Sequence, residues 1–137
     1  MKAAYPVIFT QTKENVLVEV PDLDILTEGI DMVDAIDMAR DAIGIRGIAL
    51  EDRGLEIPTR SDLEQIDVKK GTFAKDGKGF VSLVDIDFTE YRRKTDNKAV
   101  RRNVTLPNWL NQRAESSGIN VSKVLQNALM DELRIQK

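Results

Sequence analysis

Arg101-Arg102-Asn103-Val104-Thr105-Leu106-Pro107 alternates polar and apolar side chains with the two-residue period of a strand. Arg101, Asn103 and Thr105 share one face, while Val100, Val104 and Leu106 share the other. Pro107 cannot donate to a ladder but suits the first turn of a helix, and Leu106, Leu110 and Ala114 then recur every fourth residue with Trp109 alongside. Gly118 closes that helix. Asn120 is placed to cap a second one, whose apolar face is Val121, Val124, Leu125, Ala128, Leu129 and Leu133. The order is strand, helix, helix. A segment of this length, below about 40 residues, does not bury a sufficient core alone, so a second copy is expected to complete it.

Charge divides the chain at the same place. From Arg92 to Lys137 there are 10 Lys or Arg against 4 Asp or Glu, while residues 1–91 hold 10 against 19, giving +6 and −9 and so the net −3 of the whole. A sequence pI near 5.1 therefore hides a basic end on an acidic body, and such asymmetry points to nucleic acid at the basic end. The 137 residues, 42% apolar and 31% charged, have an ordinary globular composition with room for one modest domain or two small ones. There is no Cys and no His, which excludes disulfides, thiolate nucleophiles, zinc sites of the usual ligand types and His-based acid/base catalysis. No apolar stretch of signal or membrane-spanning length is present, and a cytoplasmic location without membrane association is expected.

The acidic body opens with two strand patterns, Tyr5 to Thr12 and Asn15 to Val20, joined by the polar turn Thr12-Lys13-Glu14-Asn15. Pro21-Asp22-Leu23-Asp24 breaks the second, and Ile25 to Glu28 gives a short third strand before Gly29. Asp31 is placed to cap a long helix to about Asp52, with Val33, Ile36, Ala39, Ile43 and Leu50 toward an antiparallel sheet. Gly44 and Gly47 either weaken that helix or allow close packing. Residues 53–79 are polar, with Ser61 and Glu64 spaced as a capping box for a short helical turn. Phe80 to Phe88 alternates again as a strand, and residues 89–98, without apolar periodicity, read as a linker in which Tyr91 could pack on either side. The coarse order of the body is βββαβ, in an α+β chain divided as 1–90, a linker at 91–98, and 99–137.

The tail resembles the ribbon-helix-helix repressors of the Arc, MetJ and CopG kind, in which two chains pair their strands into a ribbon that enters the DNA major groove. The resemblance implies that Arg101, Asn103 and Thr105 read base edges. Their chemistry suits this: Arg can be bidentate to guanine, Asn bidentate to adenine, and Thr offers a hydroxyl or a methyl. Asn120, Val121 and Ser122 would aim helix N-terminal N–H groups at a phosphate, with Lys98 adding a further phosphate contact. Val104, Leu106, Leu110, Val124, Leu125 and Leu129 would form the homodimer core.

The body resembles the HicB-like antitoxins of bacterial toxin–antitoxin pairs, whose N-terminal part is a cut-down ribonuclease H fold. The likeness rests on Tyr5-Pro6-Val7-Ile8-Phe9, on Val20-Pro21-Asp22-Leu23 followed by Thr27-Glu28-Gly29, on Ala35-Ile36 and Ala39, and on Pro58. Asp24-Ile25-Leu26 departs from the proline-glycine or glycine-cysteine stretch common in that group. The resemblance implies an antitoxin that is not itself an enzyme and needs no cofactor. It would bind a small basic HicA-like ribonuclease, mask that toxin's catalytic histidine, assemble with it into a hetero-oligomer, and repress its own operon by binding operator DNA. Asp22, Asp24 and Glu28 are the candidate toxin contacts, since an acidic surface steers a basic partner; a solvated acidic surface is the plain alternative. Two rival functions stand beside it. One is a stand-alone ribbon-helix-helix repressor with a ligand-sensing body. The other is a metal-dependent ribonuclease using Asp85, Asp87, Asp22, Asp24 and Glu28, although the alternation of Asp85 and Asp87 with Val84, Ile86 and Phe88 is that of an exposed face over a buried one.

Overall fold

The computed structural model describes residues 1–96 and 99–135 and divides into two compact units, Met1–Lys98 and Ala99–Lys137. In the first, β1 (Lys2–Gln11), β2 (Val16–Val20), β3 (Ile25–Gly29) and β4 (Lys78–Asp87) form an antiparallel sheet in the order β3-β2-β1-β4. The β1–β2 turn is tied by the Thr12 hydroxyl, which accepts from the backbone N–H of Asn15 at 3.0 Å. Pro21–Leu23 makes one 3-10 turn between β2 and β3, ended by Asp24 in the left-handed region at φ 52°. Asn and Asp tolerate that conformation better than most residues, which is how the chain reverses here without glycine.

Helix α1 (Met32–Asp52) lies on one face of the sheet. Its start is fixed reciprocally: Asp31 accepts from the Asp34 N–H at 2.8 Å, and the Asp34 carboxylate accepts from the Ile30 N–H at 2.8 Å. Ala35, Ala39 and Ile43 pack onto Tyr5, Val7, Phe9, Val16, Val18, Val20, Val84 and Ile86. Val33, expected on this face, is instead exposed, because two positions along a helix place it about 200° around the axis from the buried Ala35, and Met32 packs against the core instead. The other sheet face is partly covered by residues 65–72. Val68 sits against Gly79, Gly71 against Ile8, and Glu19 accepts from both the N–H and the hydroxyl of Thr72 at 2.9 and 2.7 Å. Covered on both faces, β1 buries every residue from Tyr5 to Thr10. The short turn expected at Ser61 begins one residue later: Asp62 is its cap and donates its backbone N–H to the Gln65 side-chain oxygen, while Ser61 is engaged elsewhere.

The linker expected at 91–98 is helical as far as Thr95. Helix α2 (Phe88–Thr95) is capped by Asp87 and belongs to the first unit. It crosses α1 where Gly44 and Gly47 leave no side chains, so that the Tyr91 ring lies over Gly44 and the Phe88 ring over Gly47. Of the two readings of those glycines, close packing is the one realised. Tyr91 donates its hydroxyl to Asp41 at 2.6 Å, and Arg92 bridges Glu51 and Asp52 at 3.2 and 3.0 Å.

The second unit contains α3 (Asn108–Ser116) and α4 (Val121–Glu132). Gly118, at φ +64°, ends α3 by donating to the Glu115 carbonyl, and Asn120 caps α4 by accepting from the Lys123 N–H at 3.1 Å.

Candidate functional site

In the second unit the strand expected over residues 101–105 is absent from the single chain, which runs without regular structure from Ala99 to Pro107. The reason is physical: a strand is defined by a ladder, and among the described residues of this unit no second strand exists to pair with it. Arg101, Asn103 and Thr105 are all exposed. So are the residues expected to form a core: Val104 (55%), Leu106 (37%), Leu110 (40%), Val124 (55%) and Leu129 (50%), with Leu125 half-buried. None of the described residues of this unit is buried. At the start of α4, Asn120 satisfies the Lys123 N–H, and the first-turn N–H groups of Val121 and Ser122 have no intrahelical acceptor. Lys98 lies outside the described residues.

In the first unit, the three carboxylates expected to meet a partner have different surroundings. Asp22 is committed to the fold: its two oxygens accept from the Ser61 N–H at 2.8 Å and the Ser61 hydroxyl at 2.6 Å. Beside it, Tyr5 donates its hydroxyl to the Pro58 carbonyl at 2.7 Å, and burial, with the nearby Asp22 charge, pushes the Tyr5 hydroxyl above its ordinary pKa. Asp24 is exposed at the turn, and Glu28 is exposed on β3, accepting from the Asn15 amide at 2.8 Å. Asp85 is held by Arg40, which donates to its carbonyl at 3.0 Å and its carboxylate at 3.1 Å, and Asp87 caps α2. Among the described residues no group of three His, Cys, Asp or Glu converges as cation ligands, and no helix is long and apolar enough to cross a membrane.

The family described as "HicB_like antitoxin of bacterial toxin-antitoxin system" matches residues 5–128, most of the sequence and parts of both units. The chain belongs to that family. Among solved structures, this HicB-like chain is similar to a chain of a toxin–antitoxin complex from Streptococcus pneumoniae, at TM-score 0.62 and 24% identity over 96% of this chain and 99% of that one. It is also similar to the antitoxin HicB of Burkholderia pseudomallei, at TM-score 0.52 and 24% identity over 96% and 97%. At that identity the likeness is one of fold: a mixed α+β chain with a four-stranded antiparallel sheet and four helices. No curated protein matches the sequence.

For a HicB-like antitoxin, the feature that sequence reasoning did not place is the α1–α2 crossing, whereas the outer face of α1, with its carboxylates toward water, follows from the helical pattern. Asp37 and Asp41 lie on the side of α1 away from the sheet, exposed together with Met38 and Ile45. Their i, i+4 and i, i+7 spacings were readable as one face, but the same charges fit any solvated helix. The crossing had a sharper signal, a Gly-x-x-Gly pair in α1 matched by aromatics at i and i+3, Phe88 and Tyr91.

Proposed function

We propose that this antitoxin neutralises a small basic HicA-like ribonuclease through its acidic N-terminal unit, and represses its own operon through a ribbon-helix-helix homodimer formed by residues 99–137. The observation that carries the DNA-binding half is the unburied apolar face of the second unit. Two helices and an extended arm that leave Val104, Leu106, Leu110, Val124 and Leu129 in water are half of a core. A second copy supplies the other half, and pairing of the two arms provides the ladder that makes residues 101–105 a strand. The polar face of that ribbon then carries Arg101, Asn103 and Thr105 to the major groove, and the N–H groups of Val121 and Ser122 meet a phosphate beside Asn120.

The toxin-binding half is supported by family membership and by the excess of 19 carboxylates over 10 cations in residues 1–91. Asp22, already satisfied by Ser61, serves the fold; Asp24 and Glu28 are the exposed members of the expected set and the better contacts. Opposite charge speeds encounter with a basic toxin, and apolar contacts at the centre of the interface hold it.

Operator binding of single-residue variants tests the reading. Arg101→Ala and Asn103→Ala should each cost about 1–3 kcal/mol per contact and relax specificity, whereas Lys98→Ala should weaken binding to all sequences and flatten the salt dependence. Operator affinity unchanged in both Arg101→Ala and Asn103→Ala would overturn the assignment of the ribbon face.

A further inference from the structure

We propose that the open edge of β4 is a second homodimer interface, at which two copies join their sheets into one through antiparallel β4–β4 pairing about a twofold axis at Val81. β4 is the last strand of the sheet and is ten residues long, whereas the opposite edge strand, β3, has five residues and is overhung by the start of α1. Proteins protect such edges with charge, proline or bulges. From Gly79 to Val84 this edge has none of these: Gly-Phe-Val-Ser-Leu-Val is uncharged and pairs with β1 in unbroken register. Phe80 on one face and Leu83 on the other remain 47% and 41% exposed.

Main-chain geometry selects the occupant and the register. The Phe88 N–H bonds to the Met1 carbonyl, toward β1, so even-numbered residues of β4 turn their backbone groups inward and odd-numbered ones turn them outward. Asp85 accordingly faces out, and its carbonyl is already taken by Arg40. That leaves the outward N–H and C=O groups of Gly79, Val81 and Leu83 as a self-complementary set. With Val81 opposite its own copy, Gly79 of each chain pairs with Leu83 of the other, and Arg40 marks where the ladder stops. In this register Phe80 lies opposite Ser82 and diagonal to the other copy's Phe80, within reach of an aromatic ring. Antiparallel pairing also lays Lys78 of each copy beside the Asp85–Asp87 end of the other, where a parallel arrangement would stack like charges. The interface is separate from the one proposed for the second unit, and with a different partner at each of the two interfaces the smallest closed assembly has four copies.

The test uses the full chain, which has no cysteine. Opposed Cα atoms in a hydrogen-bonded antiparallel pair lie about 5.5 Å apart, inside the window of about 4.4–6.8 Å that a disulfide spans. Val81→Cys should therefore be converted largely to a disulfide-linked pair under mild oxidation, while a control cysteine at the exposed Glu14→Cys should not. Val81→Pro leaves the inward ladder intact, because the Val81 N–H points outward, but removes the central donors of the pairing. Native mass should fall from four copies to two in Val81→Pro, and to one when Leu129→Asp is added. A Val81→Cys chain that folds but links no more than the Glu14→Cys control overturns the proposal. So does a Val81→Pro chain of unchanged mass; if that variant also loses a co-expressed toxin, the edge belongs to the toxin. The cross-link depends on neither DNA nor toxin, so its failure is distinct from failure of the functional reading.

Discussion

Gly47→Ala is the sharpest test of how α2 is held. In an exposed helix interior this change gains about 1 kcal/mol of helix propensity. Here a Cβ at residue 47 would meet Phe88 Cε1 and two further ring carbons at 2.8 Å each, and the ring belongs to the buried core, with 2% of its surface exposed. Such a ring cannot swing aside as the end of a long flexible chain can, so either α2 lifts or the core shifts. Overpacking of this kind costs about 1–3 kcal/mol, and contacts this short belong at the upper end. The net expectation is a loss of about 2 kcal/mol. In a Phe88→Leu background, where the ring is gone, the same substitution should become neutral or stabilising, a coupling that a double-mutant cycle isolates. Urea unfolding followed by far-UV circular dichroism measures both. Trp109, the single tryptophan, sits in the other unit, so its fluorescence transition should stay in place and serves as an internal control. A Gly47→Ala protein more stable by about 1 kcal/mol would refute the crossing, since only the propensity gain would then remain.

Asp22→Ala removes the acceptor of two Ser61 hydrogen bonds and should cost about 1–3 kcal/mol, with faster tryptic cleavage at Arg53 and Arg60; an unchanged cleavage rate would show that the loop is held by other contacts. The Tyr91 hydroxyl is pushed up to about 12, first by burial and then by its hydrogen bond to Asp41. The folded chain therefore keeps this proton between the ordinary value of 10.0 and about 12 while the unfolded chain has released it, so the contribution is complete below pH 10 and is lost as pH rises toward 12. Tyr91→Phe should flatten that alkaline decline, and a decline as steep as that of the unchanged chain would refute the sign. Leu125→Asp or Leu129→Asp should abolish operator binding and dimerisation of the second unit, and sedimentation of a variant that keeps both would remove the case for its half-core.

The sheet and α1 were legible because each carried a local signal strong enough to stand alone: the Val, Ile, Phe and Thr content of β1 and β2, period-2 alternation in β4, the Pro21–Asp24 break, and the Asp31 cap. The body's carboxylates were legible as a surplus but not as individuals. That Asp22 is a structural acceptor follows from Ser61, 39 positions away, and sequence spacing has no means of reporting so distant a partner. α2 was hidden for another reason. With Phe88 and Tyr91 as its only large apolar residues, it shows no period of its own and owes its place to the glycine notch in α1. The arm at 101–105 alternates as a strand does, yet it has no regular structure in the single chain, because alternation reports a side-chain pattern and a strand also needs a partner to pair with.

The strand order also imposes a sequence of assembly. β1 is central, yet its two neighbours arrive at very different times: β2 follows within a few residues, whereas β4 pairs Lys2 with Asp87 from the far side of α1 and the polar segment. A chain emerging from a ribosome at about 5–20 residues per second leaves the second edge of β1 without its partner for several seconds. During that interval the Pro6–Thr10 stretch, the most apolar of the sheet, has one unpaired side. The three-stranded β1–β2–β3 meander with α1 is then the natural early intermediate, and closure of the long β1–β4 loop is the expected slow step. Synthesis of this antitoxin should accordingly be more sensitive to crowding with its own nascent copies than its mature stability suggests.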